Sequence, residues 1–167
     1  MWKLIDLLKG WIALSQEQAQ KLFQTLDQAT LLLQEQLETS YLDAFIEVGD
    51  DLIDGAQVRV EDNRPTPEAV KKLTALYQQI DLKQLDEETI RQGLQLVLLK
   101  DVETDAVDAN HQLTPDTIGF IMAYLASRVS HRDQLNLLDL TVGTGNLLTT
   151  VMNQLSQSNN VTISGFG

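Results

Sequence analysis

The stretch Leu135-Asn-Leu-Leu-Asp139-Leu-Thr-Val-Gly143-Thr-Gly145-Asn146-Leu-Leu-Thr149 changes period in its middle, and that change decides the fold class of the second half of the chain. Leu135, Leu137 and Leu138 form a short apolar run that reads as a buried strand and stops at Asp139. Leu147, Leu148, Val151, Met152 and Leu155 then recur at helical spacing. The switch falls on Gly143 and Gly145. Lacking Cβ atoms, both accept positive φ and let a ligand lie against the backbone, while the helix that follows directs its free first-turn N–H groups at the same place. The order strand, glycine turn, helix predicts a ligand cradle, with Asp139 at the carboxyl end of the strand, where open α/β sheets bind ligands. A two-glycine turn also serves simple packing, so the turn alone does not name a ligand.

Upstream of this stretch the pattern is helical. Ala19, Leu22, Phe23, Leu26, Ala29, Thr30, Leu33 and Leu37 recur at three- and four-residue intervals and predict an amphipathic helix over residues 16–37, preceded by an amphipathic segment over residues 1–14. Ser40, with Asp43 three residues on, predicts the cap of a second helix that Gly55 ends, with a buried stripe of Tyr41, Leu42, Phe45, Val48, Leu52 and Ile53. Residues 55–67 read as a loop in which Val58 and Val60 make a short extended piece. Thr66 and Pro67 start a third helix with Val70, Leu73, Leu76, Tyr77 and Ile80 on its apolar face. A fourth starts at Asp86, with Glu87 and Glu88 in its first turn and Ile90, Leu94, Val97 and Leu98 inside. The predicted organisation is a helical bundle over residues 1–104 and a second domain over residues 105–167. The acids Asp101, Glu103, Asp105 and Asp108 read as a solvated linker, because no glycine stands where a calcium loop needs one.

Composition narrows the function classes. There is no cysteine, which removes disulfides and thiolate catalysis and suits a cytoplasmic protein. Asp6 and Lys9 interrupt the apolar start of the chain, so it does not read as a signal peptide, and no membrane association is expected. The net charge of −12 is uneven: residues 1–110 hold 21 acidic and 10 basic side chains, residues 111–167 only 3 and 2. Binding to phosphates needs clustered Lys and Arg, so the front half is a poor nucleic-acid surface. No His-Glu-x-x-His, no Lys after the glycine turn and no Gly-x-Ser-x-Gly occurs, which removes zinc hydrolase, nucleoside triphosphatase and serine hydrolase readings. His111 and His131 form no recognisable site and read as surface or capping residues.

Asp139-Leu-Thr-Val-Gly143-Thr-Gly145-Asn146-Leu-Leu resembles the Asp-Pro-x-x-Gly-x-Gly-x-(Phe/Leu)-Leu cofactor motif of class I S-adenosylmethionine-dependent methyltransferases, specifically the adenine-specific (N6) DNA methyltransferase group. Leu140 departs from that pattern, standing where the group has Pro. Upstream, Thr114-Pro115-Asp116-Thr-Ile118 is similar to the Thr-Pro-x-x-(Ile/Val) segment that precedes the cofactor motif in the same group. The resemblance implies a mainly α chain: the amino-terminal helical bundle, followed by the start of a Rossmann-like α/β methyltransferase domain.

It also implies S-adenosylmethionine as cofactor, with Thr114, Pro115, Asp139, Thr141, Gly143, Thr144, Gly145 and Asn146 as the residues around it. Thr114 would lie near the methionine end of the cofactor, and it also suits a cap for a helix through Ile118, Ile121, Met122 and Leu125. Asp139 would attract the ammonium or sulfonium charge, and it can equally accept N–H bonds from its own turn. Family members continue with an acidic ribose ligand and an Asn-Pro-Pro-aromatic motif that holds the target amine. Pro65, Pro67 and Pro115 are the only prolines here, and none makes a Pro-Pro pair. The expectation is therefore an amino-terminal piece of a methyltransferase about twice this length, inactive alone, with the sheet cut after its second strand at residues 161–167. Its open edge is expected to drive self-association, and DNA is expected to bind through the missing half. Two other readings remain at this point: a helical interaction module with a nonfunctional methyltransferase remnant, and a different mono- or dinucleotide-binding enzyme, which the Thr-Pro segment disfavours.

Overall fold

The computed structural model describes the backbone of residues 2–104, 113–129, 134–158 and 162–167, and side chains within 15–101, 113–129, 134–157 and 162–167. The chain divides into two compact units, Met1–Asp105 and Ala106–Gly167.

In the first unit, α1 (Trp2–Leu37) is one continuous helix rather than two segments, running through Gly10 and Ser15 with no proline to break it. Ser15 is instead buried, its hydroxyl 3.0 Å from that of Thr89. Next comes α2 (Tyr41–Ile53), capped by Ser40, whose side chain accepts from the Asp43 N–H. Then α3 (Pro67–Tyr77) has Thr66 as its cap and Pro in its first turn, as the sequence predicts. After a 3-10 turn, Leu82–Gln84, α4 (Glu87–Thr104) begins behind Asp86, whose carboxylate accepts the Thr89 N–H at 2.7 Å. Residues 101–104, read from the sequence as linker, are the last turn of α4; the rest of that linker and both histidines lie outside the described residues.

Leu22, Leu26, Ala29 and Leu33 of α1 meet Tyr41, Ala44 and Val48 of α2, Leu73 and Tyr77 of α3 and Val97 of α4 in one core. At Gly93 the α4 backbone comes so near α1 that a Cβ would lie 2.7 Å from Leu22 Cδ2. The buried stripe of α2 is Tyr41, Ala44, Val48 and Asp51, a strict one-face spacing. Leu42 and Ile53, predicted inside, are exposed because they point away from that stripe, and Leu94 is exposed on α4. Asp51 carries the connection to α3. Its carboxylate accepts the Arg59 N–H at 3.0 Å and the Tyr77 hydroxyl at 2.8 Å, which pins the 55–67 loop onto the bundle. Burial first, and then the hydrogen bond to Asp51, hold the Tyr77 phenol protonated well above its usual range. The loop itself forms only an isolated bridge between Glu61 and Arg64, so Val58 and Val60 make no strand.

In the second unit, α5 (Asp116–Val129) precedes a β1 (Gln134–Leu138), α6 (Asn146–Ser158), β2 (Thr162–Phe166) arrangement. The strands pair in parallel, from Gln134 with Thr162 to Leu138 with Phe166. A parallel pair needs a crossover, and α6 supplies it. Ala123, Val151 and Leu155 form the buried core, against which Leu135, Leu137, Leu147 and Ile163 pack. The strands alternate between half-buried and exposed, so β1 is covered on one face only, and Leu138, predicted buried, is exposed. On α5 the buried side is Gly119 and Ala123, while Ile118, Ile121, Met122 and Leu125 face solvent. Small residues won the contact with α6 because they permit close approach, which left the large ones outside.

Candidate cofactor site at the turn after β1

The turn after β1 is built by its own polar groups. The Asp139 N–H donates to the Phe166 carbonyl at 2.9 Å, which ties the strand end to β2. Asp139 Oδ1 accepts the Thr141 N–H at 3.0 Å and the Thr141 hydroxyl at 3.3 Å, an Asx turn that starts the reversal. Gly145 N–H then closes the turn on the Val142 carbonyl at 2.8 Å, with Gly143 at φ +51° and Gly145 at φ +75°. Both glycines are required by backbone conformation alone. The Gly145 carbonyl accepts the Thr149 N–H at 2.9 Å, so α6 begins directly behind the second glycine. The first-turn N–H groups of a helix have no acceptor within it, and here they follow the turn immediately.

Space matters as much as conformation. A Cβ built on Gly145 would meet nothing within 4 Å, and one on Gly143 would have only the Thr141 carbonyl at 3.9 Å. The glycines therefore border open space rather than packed protein. Thr141 and Thr144 are exposed beside it, and Asp139 is half-buried at its edge. A ligand with acceptors for the first-turn N–H groups and a positive charge for the Asp139 carboxylate fits these groups, with two hydroxyls beside them.

The Thr-Pro segment reaches the same place. Pro115 is the boundary residue of α5, its carbonyl accepting the Ile118 N–H at 2.9 Å, and Thr114 stands one residue earlier. Thr114 is thus displaced from the capping position expected for it. Its carbonyl oxygen accepts a 3.2 Å hydrogen bond from Asn146 Nδ2, which joins the two sequence motifs in space. Asn146 is buried, with its amide engaged by Thr114. Reasoning from sequence missed two partners of this junction, Gly119 and Thr150. A Cβ on Gly119 would lie 2.6 Å from Thr150 Cγ2, and Thr150 Oγ1 donates to the Asn146 carbonyl at 2.7 Å. A glycine in the first turn of a helix was the available signal. Two surface clefts lie elsewhere, one lined by Phe120, Tyr124, Ser127 and Gln154, the other by Gln18, Lys21 and Asp81 of the helical unit. Neither has the carboxylate, glycines and helix start that converge after β1, so the turn remains the better candidate.

Among the described residues no three His, Cys, Asp or Glu side chains are grouped to hold a metal ion, and no helix is long and apolar enough to cross a membrane.

Residues 20–102 match the family model described as the YtxK N-terminal helical domain. YtxK of Bacillus subtilis (strain 168), an uncharacterised protein, is 34% identical over 148 residues, covering 87% of this chain and 43% of its own length. A crystal structure from Listeria monocytogenes, of a protein provisionally described as a class I S-adenosylmethionine-dependent methyltransferase, superposes with a TM-score of 0.76 at 41% identity. That match covers 89% of this chain and 44% of the other. The chain thus spans less than half the length of the relatives it matches. In fold, it is a helical N-terminal domain similar to that of YtxK, followed by the first strands of a methyltransferase-type α/β domain.

Proposed function

We propose that the whole protein is a methyltransferase that binds S-adenosylmethionine against the 139–146 turn and uses it to methylate an exocyclic amine, N6 of adenine in DNA. The observation that carries the reading is the pair of positive-φ glycines bordering open space directly ahead of α6. When bound, S-adenosylmethionine supplies an electrophilic methyl group. The backbone at Gly143 and Gly145 admits the ligand, and the first-turn N–H groups of α6 offer it donors. Asp139 attracts its positive charge. Thr141 and Thr144 add hydroxyl contacts, and Thr114 and Pro115 border its methionine end. Asn146 contributes through the backbone, since its amide is held by Thr114.

The DNA part of the proposal rests on the resemblance of the two motifs to the N6-adenine group. Such a base is flipped out of the duplex to reach an active site. The acidic excess of residues 1–110 makes the helical unit unsuited to phosphates, so the DNA surface is assigned to the remainder of the whole protein, and the setting to the cytoplasm. Two measurements test the two levels. Titration calorimetry with S-adenosylmethionine on the whole protein is expected to show binding that Gly143→Val reduces at least a hundredfold, with the fold retained; equal affinities would remove the turn as the site. Labelled S-adenosylmethionine and unmethylated genomic DNA are expected to give incorporation with the whole protein and none with residues 1–167 alone. Incorporation by the shorter polypeptide would show that the Asn-Pro-Pro motif is dispensable.

A further inference from the structure

Asn146 opens α6 within the glycine motif, yet it is only 7% exposed and its side chain bonds to Thr114, 32 residues earlier. Two contacts fix the start of α5 against the start of α6. The Asn146 amide holds the Thr114 carbonyl in, at 3.2 Å. One turn along, Gly119 against Thr150 sets how near the helices come, since a Cβ there would lie 2.6 Å from Thr150 Cγ2. Thr150 is itself oriented by its 2.7 Å bond to the Asn146 carbonyl, so one residue takes part in both restraints.

We infer that Asn146 is a positioning residue, whose amide sets the distance between the Thr114–Pro115 segment and the 139–146 turn and so holds together the two halves of the cofactor site. The inference rests on the S-adenosylmethionine reading. The role needs a donor of this length: Ala and Ser do not reach, and Asp has the shape but presents only acceptors to a carbonyl. An acid in the first helical turn is otherwise favourable, because it faces the positive end of the helix dipole. Asn146→Asp therefore keeps the shape and the favourable helix-start charge while removing the donor to Thr114.

The test is a double-mutant cycle in the whole protein, read by calorimetric affinity for S-adenosylmethionine, with Asn146→Asp, Thr114→Val and the pair, beside Gly143→Val. Asn146→Asp is expected to weaken binding about tenfold, the loss of roughly one hydrogen bond. Thr114→Val is expected to weaken binding in the wild-type background and to have no further effect once Asn146 is replaced, because the hydroxyl is then already out of place. Without ligand, Asn146→Asp is expected to speed hydrogen exchange at the Ile118 amide, which is bonded to Pro115. Wild-type affinity in Asn146→Asp, or losses that simply add, would overturn the inference while loss of binding in Gly143→Val keeps the cofactor reading. No binding by the wild type would overturn both.

Discussion

In Met1–Asp105 the side chains of Leu22, Leu33, Leu73 and Tyr77 are each no more than 4% exposed, whereas in Ala106–Gly167 Ile121, Tyr124, Leu125 and Phe166 keep more than half of their surface in solvent. The first unit draws its core from four helices, and each apolar stripe finds another stripe to face. The second has one helix over one face of a two-stranded sheet, and a second helix that meets the first through glycine and alanine. The contrast shows that a correct secondary-structure pattern does not by itself close a core: closure needs a partner for every apolar face. A unit with such surfaces is suited to further elements, and its relatives are more than twice as long.

The sharpest way to break the comparison is in the closed unit. Leu73→Ala empties a fully buried site and is expected to lower stability by about 3 kcal/mol, measured by urea denaturation followed by circular dichroism. A loss below about 1 kcal/mol would mean that the four-helix core is looser than its burial indicates.

A smaller effect is expected at the polar centre of the same unit. Asp51→Ala leaves the Arg59 N–H and the Tyr77 hydroxyl without their acceptor and is expected to remove about 2 kcal/mol. The pH dependence has a definite sign. Burial and the Asp51 carboxylate raise the Tyr77 phenol above its ordinary value of 10.0, so the folded protein keeps a proton that the unfolded chain releases. The contribution is complete below pH 10.0 and is lost as pH rises above it. Tyr41, raised by burial and by Asp27, behaves alike. Tyr77→Phe is expected to flatten the alkaline fall in the thermal midpoint without abolishing it; an unchanged slope would remove Tyr77 from the account.

The smallest effect is expected on the open face. In residues 1–167, Ile121→Ser is expected to change stability by no more than about 0.5 kcal/mol, because the side chain is already half in solvent. In the whole protein the same change is expected to cost about 1–3 kcal/mol if further elements cover α5. The exposed face and sheet edge are also expected to make residues 1–167 self-associate, while a polypeptide ending near Asn110 stays monomeric. Light scattering on both decides it. A strictly monomeric longer form with protected amides across β1 and β2 would show that the partial sheet is self-sufficient.

Much of this molecule was legible in one dimension. The caps at Ser40 and Thr66, the first-turn Pro67, the strand at β1 and the glycine turn follow from local rules that act within four residues, so the sequence carries them complete. The two methyltransferase-like motifs belong to the same class, because positive φ and a helix start are local properties. Only the tertiary structure decided which residues of α2 and α5 turned inward. Asp51 is buried and Ile53 exposed because α2 presents the stripe that includes Tyr41 and Val48, and a carboxylate inside becomes favourable only when Tyr77 and the Arg59 N–H converge on it. Likewise the bond from Asn146 to the Thr114 carbonyl exists only once folding brings Thr114 beside it. Side-chain partners set by chain segments dozens of residues apart are not encoded in any local pattern; they arise when packing chooses among faces of nearly equal hydrophobicity.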